Sequence, residues 1–349
     1  MNRATPQSTL AVPPAGPVAG RVDDLLEVSL VIPTYNEEAS LPKTLRAIHA
    51  ALRNRCRFEV VVVDHGSSDD TVRVALNNDV KVIERPDART IAELRNEGAA
   101  VAQGAVLVFL DADITVSPEW GARLRSTFQQ LRRTGLLVTG SVPELPSDAG
   151  CIARAWFQRC SGNLSHLGSA HLIVTSETFA AIGGFATEME TGEDYNLCAR
   201  VVAAGGTIQP DHELRVVHEG TPRTLPEFFR REVWHGRGDL VSLKAAANSL
   251  VSITAAVFTL SHVAIGFAPL LGWTALWFGA AAVLAICVGS AARRCWRGGV
   301  SVVVVNSSAY YVYYAARSLS MASVLVRPDV QKRTRRNMSR STARGGADS

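Results

Sequence analysis

From Ala245 to Ala292 the chain runs for 48 residues without a single Asp, Glu, Lys or Arg. That length matches two membrane spans of about 20 residues each with a turn between them, and Ala268, Pro269 and Gly272 mark the turn. A helix with one wet face carries charge, so two core helices of a soluble domain are the weaker reading. The rest of the chain falls into place around this stretch. Residues 1–27 are rich in Pro and Gly and lack an apolar block, which reads as a disordered leader rather than a signal peptide. A mixed polar and apolar part occupies residues 28–244, a third apolar segment residues 299–326, and a basic tail, read as disordered, residues 327–349.

Charge orients the spans. Arg230, Arg231, Arg237 and Lys244 precede the first, and Arg293, Arg294 and Arg297 follow the second, so both flanks are expected in the cytoplasm. The expected location is the cytoplasmic (inner) membrane, multi-pass, with the large N-terminal part facing the cytoplasm. Asn306, Arg317 and the tyrosines 310, 311, 313 and 314 interrupt the third segment, so it either spans or lies in the interface. The tail after it carries seven Lys or Arg against two Asp, a balance of +5, which favours the interfacial option. Subtracting +5 from the chain's +4 leaves −1 for everything before the tail, and no nucleic-acid partner is expected. The six cysteines show no paired Cys-x-x-Cys spacing, so reduced thiols are expected rather than zinc or a disulfide framework.

Between residues 28 and 240 strand and helix patterns alternate. Val28–Ile32, Glu59–Asp64, Val80–Glu84 and Ala105–Asp111 read as buried strands. Leu41, Leu45, Ile48 and Leu52 follow at helical spacing, and 91–102 reads as a second helix. This is the α/β pattern of a doubly wound sheet, in which ligands bind beyond the carboxyl ends of the strands. Three polar loops sit at such ends: Pro33–Glu38, Asp64–Asp70 and Asp111–Asp113. In the last of these, side chains that alternate along a strand place Asp111 and Asp113 on one side. Two hard oxygen ligands together suit manganese or magnesium, which completes its shell with water and substrate phosphates. Two solvated turn aspartates would look the same in isolation.

The ordered segments VSLVIPTYNEEASLPKTL, VVVDHGSSDDT, RNEGAA, VLVFLDAD, GGF and EDYNLCARVVAAGG together resemble family 2 glycosyltransferases of GT-A fold over residues 28–240. The resemblance implies a GT-A-type doubly wound mixed sheet, a nucleotide-sugar donor with uridine favoured, and Mn2+ or Mg2+. It places Pro33, Thr34 and Glu37 around the nucleoside, Asp64 near the base, and Arg95 toward the base or a phosphate. Asp113 becomes the firmer metal ligand, with Asp111 shared between metal and ribose and His218 an additional ligand. Where the family usually reads Asp-Asp-Gly-Ser, this chain has Asp64-His65-Gly66-Ser67, and the lost carboxylate puts base selectivity in question.

For the second half, the resemblance assigns Asp194, with Glu193 beside it, as the base that deprotonates an acceptor hydroxyl during inverting displacement. Plain capping of a helix start would also put carboxylates there. Gly184 and Phe185 are assigned to the acceptor side. Arg231 and Trp234, in the basic segment before the membrane, are assigned to diphosphate and acceptor contacts; lipid headgroups are the alternative partners of such a belt. The Gln-x-x-Arg-Trp signature of processive synthases is absent, so one sugar per encounter is expected. The expected enzyme is a membrane-anchored hexosyltransferase acting on a lipid-linked or cell-envelope glycan acceptor. The alternatives are a polyprenyl-phosphate glycosyltransferase and a non-catalytic nucleotide-sugar-binding membrane scaffold. A Rossmann nucleotide enzyme is disfavoured because no Gly-x-Gly-x-x-Gly follows the first strand, and a nucleotidyltransferase because no basic Gly-rich loop does.

Overall fold

The computed structural model of the chain describes residues 27–157, 166–237 and 249–326; the expected leader (apart from Glu27) and basic tail lie outside them. The first half alternates as the pattern dictates: β1 (Val28–Thr34), α1 (Leu41–Leu52), β2 (Phe58–Asp64), α2 (Thr71–Leu76), β3 (Lys81–Glu84), α3 (Ile91–Val101) and β4 (Val106–Leu110). Each expected strand lies within two residues of the observed one. β5 (Ile114–Val116), α4 (Pro118–Thr134), β6 (Leu137–Gly140), α5 (Cys151–Phe157), β7 (His171–Thr175) and α6 (Ser176–Ile182) follow. Then come α7 (Glu193–Ala203), β8 (Thr207–Pro210), β9 (Val216–His218) and α8 (Leu225–His235). Seven strands form a mixed sheet in the order β3-β2-β1-β4-β7-β6-β8, parallel from β3 to β4, with β7 antiparallel to both neighbours. β1, β2 and β4 are almost wholly buried, which is why they read as unbroken apolar runs.

The Asp111–Asp113 segment departs from the sequence expectation. β4 ends at Leu110, and the two aspartates lie in a turn in which Ile114 N donates to Asp111 O at 3.2 Å. The turn leads into β5, which leaves the main sheet and pairs antiparallel with β9 so that Ile114 stands opposite His218. Thr44 Oγ1 of α1 donates to Ala112 O at 2.7 Å and holds the turn from beneath. The aspartates are thus gathered by a turn and a small ribbon, not by strand alternation.

The apolar segments form α9 (Leu250–Gly266), the short α10 (Ala268–Leu271), α11 (Trp273–Cys295) and α12 (Val300–Val326). Gly272, at φ +93°, makes the reversal expected there. Among the described residues one helix, α11 with 23 residues, is long and apolar enough to cross a membrane; α9 is apolar but has 17 residues. α12 does not stand apart. Its stretch 309–320 touches α9 and α11 through Thr259–Ser318, His262–Tyr311 and Ser290–Tyr314. The same stretch meets α5 and α8 through rings Tyr310 and Tyr313 on Trp156, and through Arg317 paired with Glu232. Trp156, Phe228, Phe258, Cys287, Tyr313 and Tyr314 share one buried cluster, so the boundary read at residue 244 separates two sequence patterns but not two cores. Cys56, Cys151, Cys198 and Cys287 are free, whereas Cys295 is disulfide-bonded, which corrects the expectation of uniformly reduced thiols.

One buried histidine holds the sheet to α4. Trp120 Nε1 donates to His171 Nε2 at 3.0 Å and Ser141 N donates to Nδ1 at 3.0 Å, with Ser141 Oγ 2.9 Å from the same nitrogen. Full burial pushes the His171 pKa down to about 3. The folded chain therefore keeps this ring neutral where the unfolded chain binds a proton, so its stability is complete above about pH 6.5 and declines as pH falls from there toward 3. We expect unfolding free energy to drop by about 1.4 kcal/mol per pH unit from this group below pH 6. Chemical denaturation of the wild type and of His171→Gln should show a flatter acid limb in the variant; equal slopes would sink the assignment.

Candidate active site

A cavity of 480 Å³ opens beyond the carboxyl ends of β1, β2 and β4. Pro33, Thr34, Tyr35 and His65 line one part of it, Arg89, Thr90, Ile91 and Leu94 another; Glu37, Asp111, Asp113, His218, Glu190, Trp234 and Arg237 complete the wall. Of the residues expected from the sequence, Pro33, Thr34, Glu37, Asp111, Asp113, His218 and Trp234 come together here. The remaining seven are placed elsewhere in the fold.

Asp64 is fully buried and holds the second loop, accepting from Ser67 N at 2.8 Å and from Thr34 Oγ1 at 3.3 Å. Its place beside the cavity falls to His65, the residue that departs from the family pattern, whose ring lies 5.8 Å from that of Tyr35. Arg95 is neither a surface arginine nor a wall residue. It is 2 % exposed and bridges Asp111 at 2.6 Å and Glu193 at 2.7 Å. Gly184 and Phe185 are also structural. Gly184 has φ +67°, and the Asn96 side chain accepts from Phe185 N and donates to Phe185 O, both at 2.9 Å, while the Phe185 ring packs on Phe109 and Phe179. The apolar ring thus fills the core instead of facing an acceptor.

Glu193 and Asp194 begin α7, where Gly192 turns the chain at φ +83°. Ser169 Oγ donates to Glu193 at 3.0 Å, and Ser169 N donates to Asp194 Oδ2 at 3.2 Å. Neither carboxylate is among the residues lining the cavity. Glu193 connects to it through Arg95, which makes a polar chain Ser169–Glu193–Arg95–Asp111. Burial raises the Glu193 carboxyl above the usual carboxylate range, with Arg95 pulling against it. Arg231 sits back from the cavity, with its guanidinium 4.5 Å from the Phe157 ring centre and 3.1 Å from Glu232. Arg237, noted in the sequence only as a flanking charge, takes the wall position instead.

The electrostatics single out one corner. Asp113 Oδ2 lies 3.0 Å from His218 Nε2. Burial opposes ionisation of both, but each supports the charge of the other: the Asp113 carboxyl is held below the usual range and the His218 imidazole above it. Burial, then the nearby Asp113, pushes Glu37 up to about 7. Gly220 makes room for this corner, since a Cβ there would fall 1.9 Å from Asp113 Oδ2. Among the described residues no three His, Cys, Asp or Glu side chains are grouped to cage a metal. The donors present suit a hard divalent ion that takes one or two protein ligands and the rest from phosphate and water.

The loop after β3, Arg85–Thr90, supplies wall residues that the sequence reading missed. The rule that ligands sit beyond strand ends applies to β3 as well, so the signal was present in Arg89 and Thr90.

Comparison with known proteins accords with this architecture. Residues 29–144 match the family model described as glycosyl transferase family 2. The match stops short of α7, β9 and α8. Glycosyltransferase AglE of Haloferax volcanii is 25 % identical over 226 residues, 61 % of this chain and 73 % of that protein. An undecaprenyl-phosphate 4-deoxy-4-formamido-L-arabinose transferase of Pseudomonas syringae pv. syringae is 39 % identical over 126 residues, 33 % of this chain and 35 % of that protein. Against other relatives, too, the chain spans about half of their length or less. Among solved structures, the mannosyltransferase PcManGT from Pyrobaculum calidifontis in complex with GDP-Man and Mn2+ shares the fold, with a TM-score of 0.55 at 18 % identity over 84 % of this chain and 87 % of that one. The chain therefore carries a glycosyl transferase family 2 domain over residues 29–144, and its relatives are named glycosyltransferases, enzymes that transfer sugars.

Two outcomes test the site's construction. Arg95→Met keeps the stem but leaves Glu193 and Asp111 unpaired, and should lower the unfolding free energy by about 3–5 kcal/mol; a loss below about 1 kcal/mol in denaturant titration would show that the bridge holds nothing. Gly220→Ala should leave the fold intact but displace the Asp113 carboxylate from His218 and so lower the His218 pKa, as read by NMR titration; an unchanged titration would show that Gly220 does not make room for the pair.

Proposed function

We propose that this chain is a membrane-anchored inverting glycosyltransferase that moves one sugar from a nucleotide diphosphate sugar, UDP-linked by family habit, to an acceptor presented at the membrane surface. The observation that carries the reading is the composition of one cavity. Its floor holds Asp111, Asp113 and His218, its two flanks hold rings and a basic loop, and its far wall is Trp234 and Arg237 of the segment that leads to the apolar helices. Pro33, Thr34, Tyr35 and His65 are placed to frame a nucleoside. Asp113 and His218, with Asp111 beside them, are the residues that would hold Mn2+ or Mg2+, which when bound neutralises charge on a diphosphate. Arg237 and Arg89 add cationic groups for phosphate oxygens.

The membrane reading is supported by exposed apolar surface: Trp277 and Phe278 of α11 are 71 % and 78 % exposed, and Leu270 before them 80 %. Water-exposed rings in such density are unfavourable unless lipid covers them. With α9 and α11 as an antiparallel pair returning to Arg293 and Arg294, the anchor is multi-pass and the catalytic domain faces the cytoplasm.

A lipid-linked or cell-envelope glycan hydroxyl is the acceptor if Asp194 acts as base. Asp194 is half-buried at the start of α7, with Oδ1 toward its neighbour Tyr195 N and Oδ2 toward Ser169 N. One observation favours a second reading, in which a polyprenyl phosphate attacks directly: Asp194 does not line the cavity, and an ionised phosphate needs no base. The relatives named as undecaprenyl-phosphate transferases are in keeping with that alternative. A non-catalytic scaffold would have no chemical use for Asp194.

Asp194→Asn should retain manganese-dependent UDP binding and lower transfer to a hydroxyl acceptor by about a hundredfold or more, while Asp113→Ala should weaken UDP binding itself. An Asp194→Asn enzyme that transfers at the wild-type rate removes the base and leaves the phosphate acceptor as the better reading.

A further inference from the structure

We propose that α12 is a working part of the active-site wall: through Glu232, Arg317 and Ser320 it fixes the last turn of α8 and thereby sets where Trp234 and Arg237 stand in the cavity. Three separate contacts converge within one turn of each helix. First, Glu232, 3 % exposed, accepts from Arg231 Nη1 at 3.1 Å on one oxygen and from Arg317 Nη2 at 3.2 Å on the other. Second, Ser320 Oγ donates to Val233 O at 2.7 Å. That carbonyl belongs to the final turn of α8, where the intrahelical acceptor pattern has run out, so α12 supplies what a capping residue would. Third, Gly236 sits so close to α12 that a Cβ there would meet Ser320 Oγ at 2.5 Å and Arg317 Nη1 at 3.1 Å. The residues fixed in this way, 232, 233 and 236, alternate with 234 and 237, which line the cavity.

The consequence follows from the price of charge in a buried place. Removing Arg317 takes one of the guanidinium partners from the buried Glu232, and removing Glu232 takes from Arg231 and Arg317 the carboxylate they share; in either case the end of α8 moves until water reaches the weakened charges. Such a movement takes Trp234 and Arg237 with it. The helix that the sequence reads as spanning or interfacial is then neither a bare anchor nor a passive lid. It links the apolar helices to the wall nearest the proposed diphosphate site, a step that rests on the donor reading above.

The test compares Glu232→Gln, Arg317→Met and Ser318→Ala in the full chain. Ser318 Oγ bonds Thr259 on the other side of α12, at 2.7 Å, and serves as the control. Amide hydrogen exchange of residues 228–237 reads the position of α8 without any ligand, and calorimetric titration with UDP and manganese reads the consequence. Each single variant should speed exchange in that segment and weaken UDP binding about tenfold, and Ser318→Ala should match wild type. Unchanged exchange in both single variants overturns the latch. Faster exchange with UDP affinity held within about threefold overturns the positioning role, because α12 would then support α8 without setting the site. A wild-type chain that binds no UDP overturns the donor reading instead, and the exchange arm then decides the latch alone.

Discussion

The Arg95 guanidinium is the interaction around which the catalytic domain closes. It projects from α3 into the interior and meets Asp111 after β4 and Glu193 at the start of α7. Those two carboxylates belong to different halves of the sheet, one following the parallel strands and the other following the antiparallel insertion of β7. Burying Arg95 and Glu193 is costly, and the attraction among Arg95, Glu193 and the part-exposed Asp111 offsets that cost only while all three stay in register. The arrangement therefore specifies geometry: Asp111 is held at the cavity edge, and Glu193 is held against Arg95 and Ser169.

The opposite side of the cavity is assembled by a different device. The β5–β9 ribbon sets Ile114 against His218, and this pairing brings a histidine from residue 218 within hydrogen-bonding distance of Asp113. A ribbon of three residues a side would be marginal alone. Here it is held by the Thr44 bond to Ala112 and by Glu219 N donating to Asp113 O at 2.9 Å. The absence of a side chain at Gly220 completes the pocket for the Asp113 carboxylate.

The two chemistries of the chain, a polar cavity and an apolar helix set, meet at α8. Phe228 faces the shared cluster with Trp156 and Tyr313, Glu232 meets Arg317, and Trp234 reaches the cavity. A helix with these three faces joins the packing of the apolar helices to the cavity wall. Placement of an acceptor at a surface raises its effective concentration without any new contact, and α8 is where such a surface would adjoin the cavity.

Much of this was legible from residue order alone. Short Val, Leu and Ile runs bounded by polar turns read as strands buried on both faces, and the polar loops after them gather at one edge, so the parallel half of the sheet and the position of Pro33, Thr34, Asp111 and Asp113 beyond strand ends follow from local pattern. The 48-residue charge-free stretch likewise declares apolar helices whatever the fold. Tertiary structure alone decided the roles of Arg95, Phe185 and Gly184, because an arginine on a helix and a Gly-Gly-Phe turn look the same whether they face ligand or core. It also decided that His65, Arg89 and Arg237 line the cavity, and that the third apolar helix packs on α8. Periodicity reports which face of an element is apolar; it does not report which distant element covers that face, since that depends on contacts between residues as far apart as Glu232 and Arg317.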